Sequence, residues 1–207
     1  MRCYFQAHLK MGGELGKDIP MNLKELKEES KYTTSELKRW YQNFKKMYPE
    51  GYIDKLRFKN LYCKTYPAGD ASSMADQVFR VFDENRDGKV DFREIVIGLG
   101  VGSRGTVVEK MNLMFSLYDI NGDGYIKRDE MLIIVKSMFK MISHNGSHSI
   151  GGLGGGSIKC ESKVQKQVDE MFREMDLNDD GLISLEEFFV IGKINSPIMQ
   201  VLELSRR

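Results

Sequence analysis

Three twelve-residue stretches of this 207-residue chain carry oxygen-bearing side chains at the same alternating positions. The first runs Asp83, Asn85, Asp87, Gly88 and closes on Glu94. The second runs Asp119, Asn121, Asp123, Gly124 and closes on Glu130. The third runs Asp176, Asn178, Asp180, Gly181 and closes on Glu187. Only oxygens are offered, which suits a hard divalent cation taking about six to eight oxygen ligands. Positions 1, 3 and 5 turn their oxygens inward. Glycine at position 6 takes a sharp turn that a Cβ would obstruct. Position 7 lends its backbone carbonyl, so Lys89, Tyr125 and Leu182 are free to differ in side chain. The glutamate at position 12 closes the site with both oxygens. The cation these sets fit is calcium, at three sites.

The spacing is that of the EF-hand loop. The loops differ at position 9. Asp91 gives the first a fourth candidate carboxylate, and magnesium is expected to compete there. Ser184 stands in the third. In the second, Lys127 sets a positive charge beside the metal and cannot relay through water, so that site is expected to be the weakened one.

Bulk properties exclude other classes. Thirty-one basic residues against 30 acidic give a net charge of +1, so nothing favours nucleic acid. Three cysteines (Cys3, Cys63, Cys160) without CxxC spacing point away from a disulfide framework and towards a reducing compartment. No apolar run approaches the ~18 residues of a membrane span, and the N-terminus lacks a secretory signal. A cytoplasmic protein is expected. Asn145-Gly146-Ser147 matches a glycosylation acceptor, without meaning in that compartment. His144, His148 and Cys160 lack the partner set of a zinc site. Gly151–Gly156 lacks the ending of a phosphate loop. Three histidines support no catalytic triad, so no enzyme is expected.

The metal loops need helices on both sides. Thr33-Thr34-Ser35-Glu36 is a capping box, followed by Leu37, Trp40, Tyr41 and Phe44 at helical spacing. Pro49 and Gly51 break that helix. Phe58, Leu61 and Tyr62 suggest a second, ended before Pro67. Asp70 is the expected N-cap of a third, carrying Val78, Phe79 and Phe82 into the loop at 83. Ile95, Ile97 and Leu99 follow on an exit helix. Residues 1–30 read as a lead-in, 31–101 as an N-terminal pair of hands, 106–195 as a C-terminal pair and 196–207 as a tail. Loop starts lie 36 and then 57 residues apart. The excess falls on a Gly/Ser-rich insert at 143–162, expected to be flexible.

Position 8 is apolar and β-branched in every loop (Val90, Ile126, Ile183), which suits short antiparallel strands pairing two loops. Pairing requires a fourth hand. Lys46–Arg57 keeps Gly51 at position 6 and Ile53 at position 8, but has Lys46 and Arg57 at the anchors and Pro49 between. It should keep the shape and lose the metal. The fold expected is all-α: four EF-hands in two pairs, the first degenerate.

From about Leu37 to Leu204 the chain resembles the neuronal calcium sensor family, which includes recoverin, the visinin-like proteins and hippocalcin. The marks are Trp40-Tyr41-x-x-Phe44, Tyr66-Pro67-x-Gly69-Asp70-Ala71-Ser72, Asp91-Phe92-Arg93-Glu94, Ser103-Arg104-Gly105, Phe115-x-x-Tyr118-Asp119 and Leu185-Glu186-Glu187-Phe188. The resemblance implies a calcium-exposed apolar groove at Trp40, Tyr41, Phe44, Phe58, Leu61, Tyr62, Tyr66, Ile95 and Leu99. On pattern alone, the stripe Trp40, Tyr41 and Phe44 reads as core. The resemblance also implies an amphipathic target helix from a kinase, cyclase or channel, and a possible peripheral membrane contact. Three features depart from the family. The chain as written begins Met1-Arg2, without the myristoylation signal. Tyr48 stands where the family has cysteine, and Thr65 replaces an aromatic of the groove.

The expected function is that of a calcium sensor regulating a partner. Its rivals are a calcium buffer that barely opens and a constitutive EF-hand subunit of an enzyme.

Overall fold

The computed structural model describes residues 22–142 and 157–194, with side chains over 22–142 and 162–190. Among these are nine helices: α1 (Leu23–Ser30), α2 (Thr34–Met47), α3 (Lys55–Thr65), α4 (Ser72–Phe82), α5 (Phe92–Arg104), α6 (Val107–Tyr118), α7 (Arg128–Ile142), α8 (Ser157–Met175) and α9 (Leu185–Ile194). Four strands lie between them: β1 (Tyr52–Asp54), β2 (Lys89–Asp91), β3 (Tyr125–Ile126) and β4 (Ile183–Ser184). The chain is mostly helical, with two small antiparallel sheets. The first 21 residues, most of the glycine-rich insert and the tail lie outside the described residues.

Side-chain caps fix where several helices begin. At α2, Glu36 N donates to Thr33 Oγ1 at 3.3 Å and Thr33 N donates back to Glu36 Oε2 at 2.8 Å. Reciprocal boxes join Asp91 to Glu94 at α5 and Thr106 to Glu109 at α6. Such pairs satisfy amides that have no partner within the helix. Asp70 does not cap α4 as expected: Ala71 is the flanking residue and makes no side-chain cap. Asp70 Oδ1 instead accepts from Ser72 N at 3.0 Å, while its own N–H donates to Lys140 O at 2.9 Å. The aspartate thus makes an Asx turn leading into the helix and ties that turn to the end of α7.

The lead-in, read from the sequence as partly ordered, contains a formed helix, α1, with Leu26 and Ser30 buried. The insert stops earlier than expected, because α8 starts at Ser157 instead of after Ser162. No glycine follows Gly156 for 24 residues, and Val164, Val168, Phe172 and Met175 bury one helix face. That burial outweighs any flexibility borrowed from the glycines before it.

Strand pairing sets the geometry of the loops. β1 pairs β2 with Ile53 opposite Val90, and β3 pairs β4 with Ile126 opposite Ile183. All four side chains are fully buried. Each is the position-8 residue of its twelve-residue stretch, so one hydrophobic contact locks two loops back to back. Residues 46–57 keep the turn, with Gly51 at φ +90°.

In the first half α1 lies along α5. The approach is close at one point: a Cβ on Gly100 would sit 2.3 Å from Ser30 O. Just beyond α1, Tyr32 packs edge-on against Trp40 with ring centroids 4.5 Å apart. Its hydroxyl donates to Leu99 O at 3.2 Å and pairs with Ser103 Oγ at 2.8 Å. Arg104 lies over the Tyr32 ring and grips Glu36, with Nη2 2.7 Å from Oε1. These contacts hold the N-terminal helix over the aromatic core of the first half.

Candidate calcium site

Each loop is built by one hydrogen-bond pattern repeated three times. In loop 83–94, Asp83 Oδ1 accepts from Asp87 N at 3.0 Å and Oδ2 from Gly88 N at 3.0 Å. Asn85 Oδ1 accepts from Asp87 N at 2.9 Å, and Asp87 Oδ1 from Lys89 N at 2.8 Å. The same bonds recur from Asp119, Asn121 and Asp123, and from Asp176, Asn178 and Asp180. The position-6 glycines sit at φ +79°, +87° and +79°, where a side chain is strained. Position 4 is left-handed too, and there only the loop at 119 has glycine: Gly122, against Arg86 and Asp179.

The closing glutamates reach back across the loops. Glu94 Oε1 accepts from Glu84 N at 3.1 Å and Oε2 from Asp91 N at 2.9 Å. Glu130 and Glu187 make the equivalent bonds to Ile120 N and Lys127 N, and to Leu177 N and Ser184 N. In each loop the closing glutamate thus reaches back to the amide that follows the position-1 aspartate. Asp83, Glu94, Asp119, Glu130 and Glu187 are all buried.

Two desolvated carboxylates on one loop repel unless a cation joins them. Glu94 shows this. Burial pushes its carboxyl above the ordinary value, and the charges of Asp91 and Asp83 add to it, against hydrogen bonds from the Asp91 and Asn85 amides. Burial also acts on Glu187. There the hydrogen bonds from Ser184 and from the Leu177 and Asn178 amides outweigh it and hold the carboxyl low. A calcium ion fits these donors. Among the described residues no three His, Cys, Asp or Glu side chains close on one point as a metal cluster. An EF-hand loop draws as well on position 3 and on the position-7 carbonyl, which here are Asn85, Asn121 and Asn178 and Lys89, Tyr125 and Leu182.

Position 9 separates the loops. Asp91 caps α5, its Oδ1 accepting from Glu94 N at 2.9 Å. Ser184 does the same for α9 at 3.3 Å. Lys127 instead sends Nζ 2.5 Å from Asp123 Oδ2, a position-5 donor. That contact holds the Asp123 carboxyl below its ordinary value and raises the lysine. The lysine thus engages the position-5 carboxylate directly.

The structure places the expected groove residues differently from an open face. Trp40, Phe44, Phe58, Tyr62, Ile95 and Leu99 are buried in the core, and Tyr41, Leu61 and Tyr66 pack partly buried against it. The pattern reading, which made the stripe core, describes this state. Leu26 and Tyr32 are themselves buried in the same cluster. Among the described residues Trp40 Nε1 is a buried donor with no hydrogen-bond partner, which costs about 1–3 kcal/mol.

Sequence reasoning missed two residues that join these parts. Phe92 stands at position 10 of its loop. It packs edge-on against Tyr41 at 5.2 Å and tilted against Phe44 at 5.5 Å. Its place between Asp91 and Glu94 was the available signal. Tyr32 had none beyond being aromatic before a capping box.

Residues 108–189 match the family described as an EF-hand domain pair, and residues 74–96 match the EF hand. The two spans contain all three loops built here. The chain thus carries repeated EF-hand domains, and EF-hand domains bind calcium. No helix of the described residues is long and apolar enough to cross a membrane.

Proposed function

We propose that this chain is a calcium sensor of the neuronal calcium sensor type, built of four EF-hands in two pairs. Calcium occupies the loops at 83, 119 and 176, magnesium competes at the first of these, and residues 46–57 bind no metal. The carrying observation is the position of Phe92. It follows Asp91 and precedes Glu94, and its ring touches both Tyr41 and Phe44. Any shift of α5 as Glu94 closes on an ion is felt by the aromatic cluster at once. Differential binding to a closed and an open arrangement is what moves such an equilibrium.

In this reading α1 and Tyr32 cover the aromatic cluster in the closed state. Calcium loosens that cover, and an amphipathic helix of a kinase, cyclase or channel takes the exposed face. The orphaned Trp40 Nε1 makes the closed state less stable than its burial alone implies. The chain acts without catalysis of its own, in the cytoplasm or at a membrane surface. Binding of an apolar dye separates this reading from a buffer. A sensor raises dye fluorescence when calcium is added and loses the rise with a chelator. Unchanged dye binding with calcium bound would favour a buffer or a constitutive enzyme subunit.

A further inference from the structure

The two halves meet at an arginine. Arg80 lies on α4, three residues before Asp83. Its guanidinium crosses to α6, where Nη2 donates to Leu117 O at 2.8 Å and Nη1 to Asp119 O at 3.0 Å. These are carbonyls at the end of α6, the stretch that leads into loop 119–130. The last carbonyls of a helix have no partner within it, and a cation is favoured there. A planar two-pronged donor also fixes their orientation in a way a lysine would not. Gln77 Oε1 accepts from Arg80 Nε at 3.4 Å and steadies the side chain.

A second contact lies alongside. Arg86, at position 4 of loop 83–94, approaches Gly122, at position 4 of loop 119–130. A Cβ on Gly122 would lie 2.8 Å from Arg86 Nη2. The two loops belong to different sheets, because β2 pairs β1 and β3 pairs β4. Strand pairing therefore carries nothing between them, whereas Arg80 hydrogen-bonds from the helix before one loop to the start of the other.

We propose that Arg80 is a positioning residue that couples calcium binding at loop 83–94 to calcium binding at loop 119–130. The proposal rests on the calcium reading above. Calcium drawn onto Asp83 fixes the end of α4, which fixes the guanidinium. The guanidinium in turn holds the backbone of Asp119, so the first donor of the second loop is oriented before its ion arrives. Occupancy of one loop then tightens the other, and by linkage the effect is mutual.

The amides of Gly88 and Gly124 donate to Asp83 Oδ2 and Asp119 Oδ2, both at 3.0 Å, so their NMR signals report each loop separately. Calcium is titrated into the full chain and into Glu94→Gln, which disables loop 83–94. With Arg80 present, Glu94→Gln should weaken half-saturation at Gly124 by about fivefold or more, the low end of ordinary coupling. In Arg80→Gln, and equally in Arg80→Lys, the same change should shift Gly124 by less than about twofold. Equal shifts with and without Arg80, or none with it, overturn the proposal. Full coupling in Arg80→Lys overturns the two-pronged clamp. A measurement needing no change at Arg80 guards against misfolded variants. Glu130→Gln should weaken Gly88 by the same factor as Glu94→Gln weakens Gly124, and a missing reciprocal effect also overturns the coupling. If neither glycine responds to calcium, the calcium reading itself falls. If both respond independently, only the coupling does.

Discussion

Phe92 stands edge-on to Tyr41, ring centroids 5.2 Å apart, two residues before the glutamate that closes the first metal loop. One side chain is thus shared between a cation site and the aromatic interior of the first half. Phe92→Leu keeps the site apolar but removes the ring contacts to Tyr41 and Phe44. It should cost about 1–3 kcal/mol of stability in urea unfolding. Calcium should still bind, while the response of the aromatic cluster shrinks. An undiminished response would show that the signal bypasses this ring.

Lys127 engages Asp123 directly. Lys127→Ser frees that carboxylate and supplies the position-9 residue found in the loop at 176. Calcium affinity read at Gly124 should tighten severalfold, with Gly181 nearly unchanged. An unaltered affinity at Gly124 removes the lysine from the account.

The Arg104–Glu36 pair carries a pH signature. The Arg104 hydrogen bond and charge, helped by Thr33, hold the Glu36 carboxyl at about 2 against an ordinary 4.5. A depressed acid contributes stability that is whole above about 4.5 and is lost as pH falls towards 2. Arg104 and Glu36 remain 37% and 25% exposed, so screening reduces the effect to about 1 kcal/mol. Glu36→Gln should lower the urea midpoint at pH 7. The gap between it and the parent chain should close between pH 4.5 and 2. A gap independent of pH would assign the loss to the helix cap alone.

Gly100 admits α1 onto α5. Gly100→Ala would place a Cβ 2.3 Å from Ser30 O, and backbone cannot yield cheaply. It should cost about 1–3 kcal/mol and lift α1 away. Tyr32 then leaves Trp40, and tryptophan emission should move to the red without calcium. Emission unchanged from the parent would mean that α1 does not cover Trp40.

The shape of the three loops was legible in the sequence because it is local. Twelve consecutive residues carry the whole hydrogen-bond pattern, and Gly88, Gly124 and Gly181 mark turns that side chains resist. Val90 and Ile126 announced their strands for the same reason. The groove was less legible. Trp40 and Phe44 show the same spacing whether they face solvent or core, and what decided was Tyr32 and α1 folding over them. That contact spans segments no periodicity relates. Arg80 was invisible because a guanidinium on a helix is ordinary until its two carbonyl partners, 37 and 39 residues on, are located. Asp70 misled because an aspartate before serine suits both an N-cap and an Asx turn.

The central claim is that calcium in the loops reorganises the aromatic cluster. Trp40, the chain's one tryptophan, lies buried within that cluster against Tyr32. Its emission should be recorded against free calcium with magnesium held at a cell-like level. The sensor account predicts a cooperative change near micromolar calcium, roughly 10⁻⁷–10⁻⁵ M for sensor-type loops. A flat response while the glycine amides show the loops filled would contradict it, leaving a calcium-binding protein without the switch.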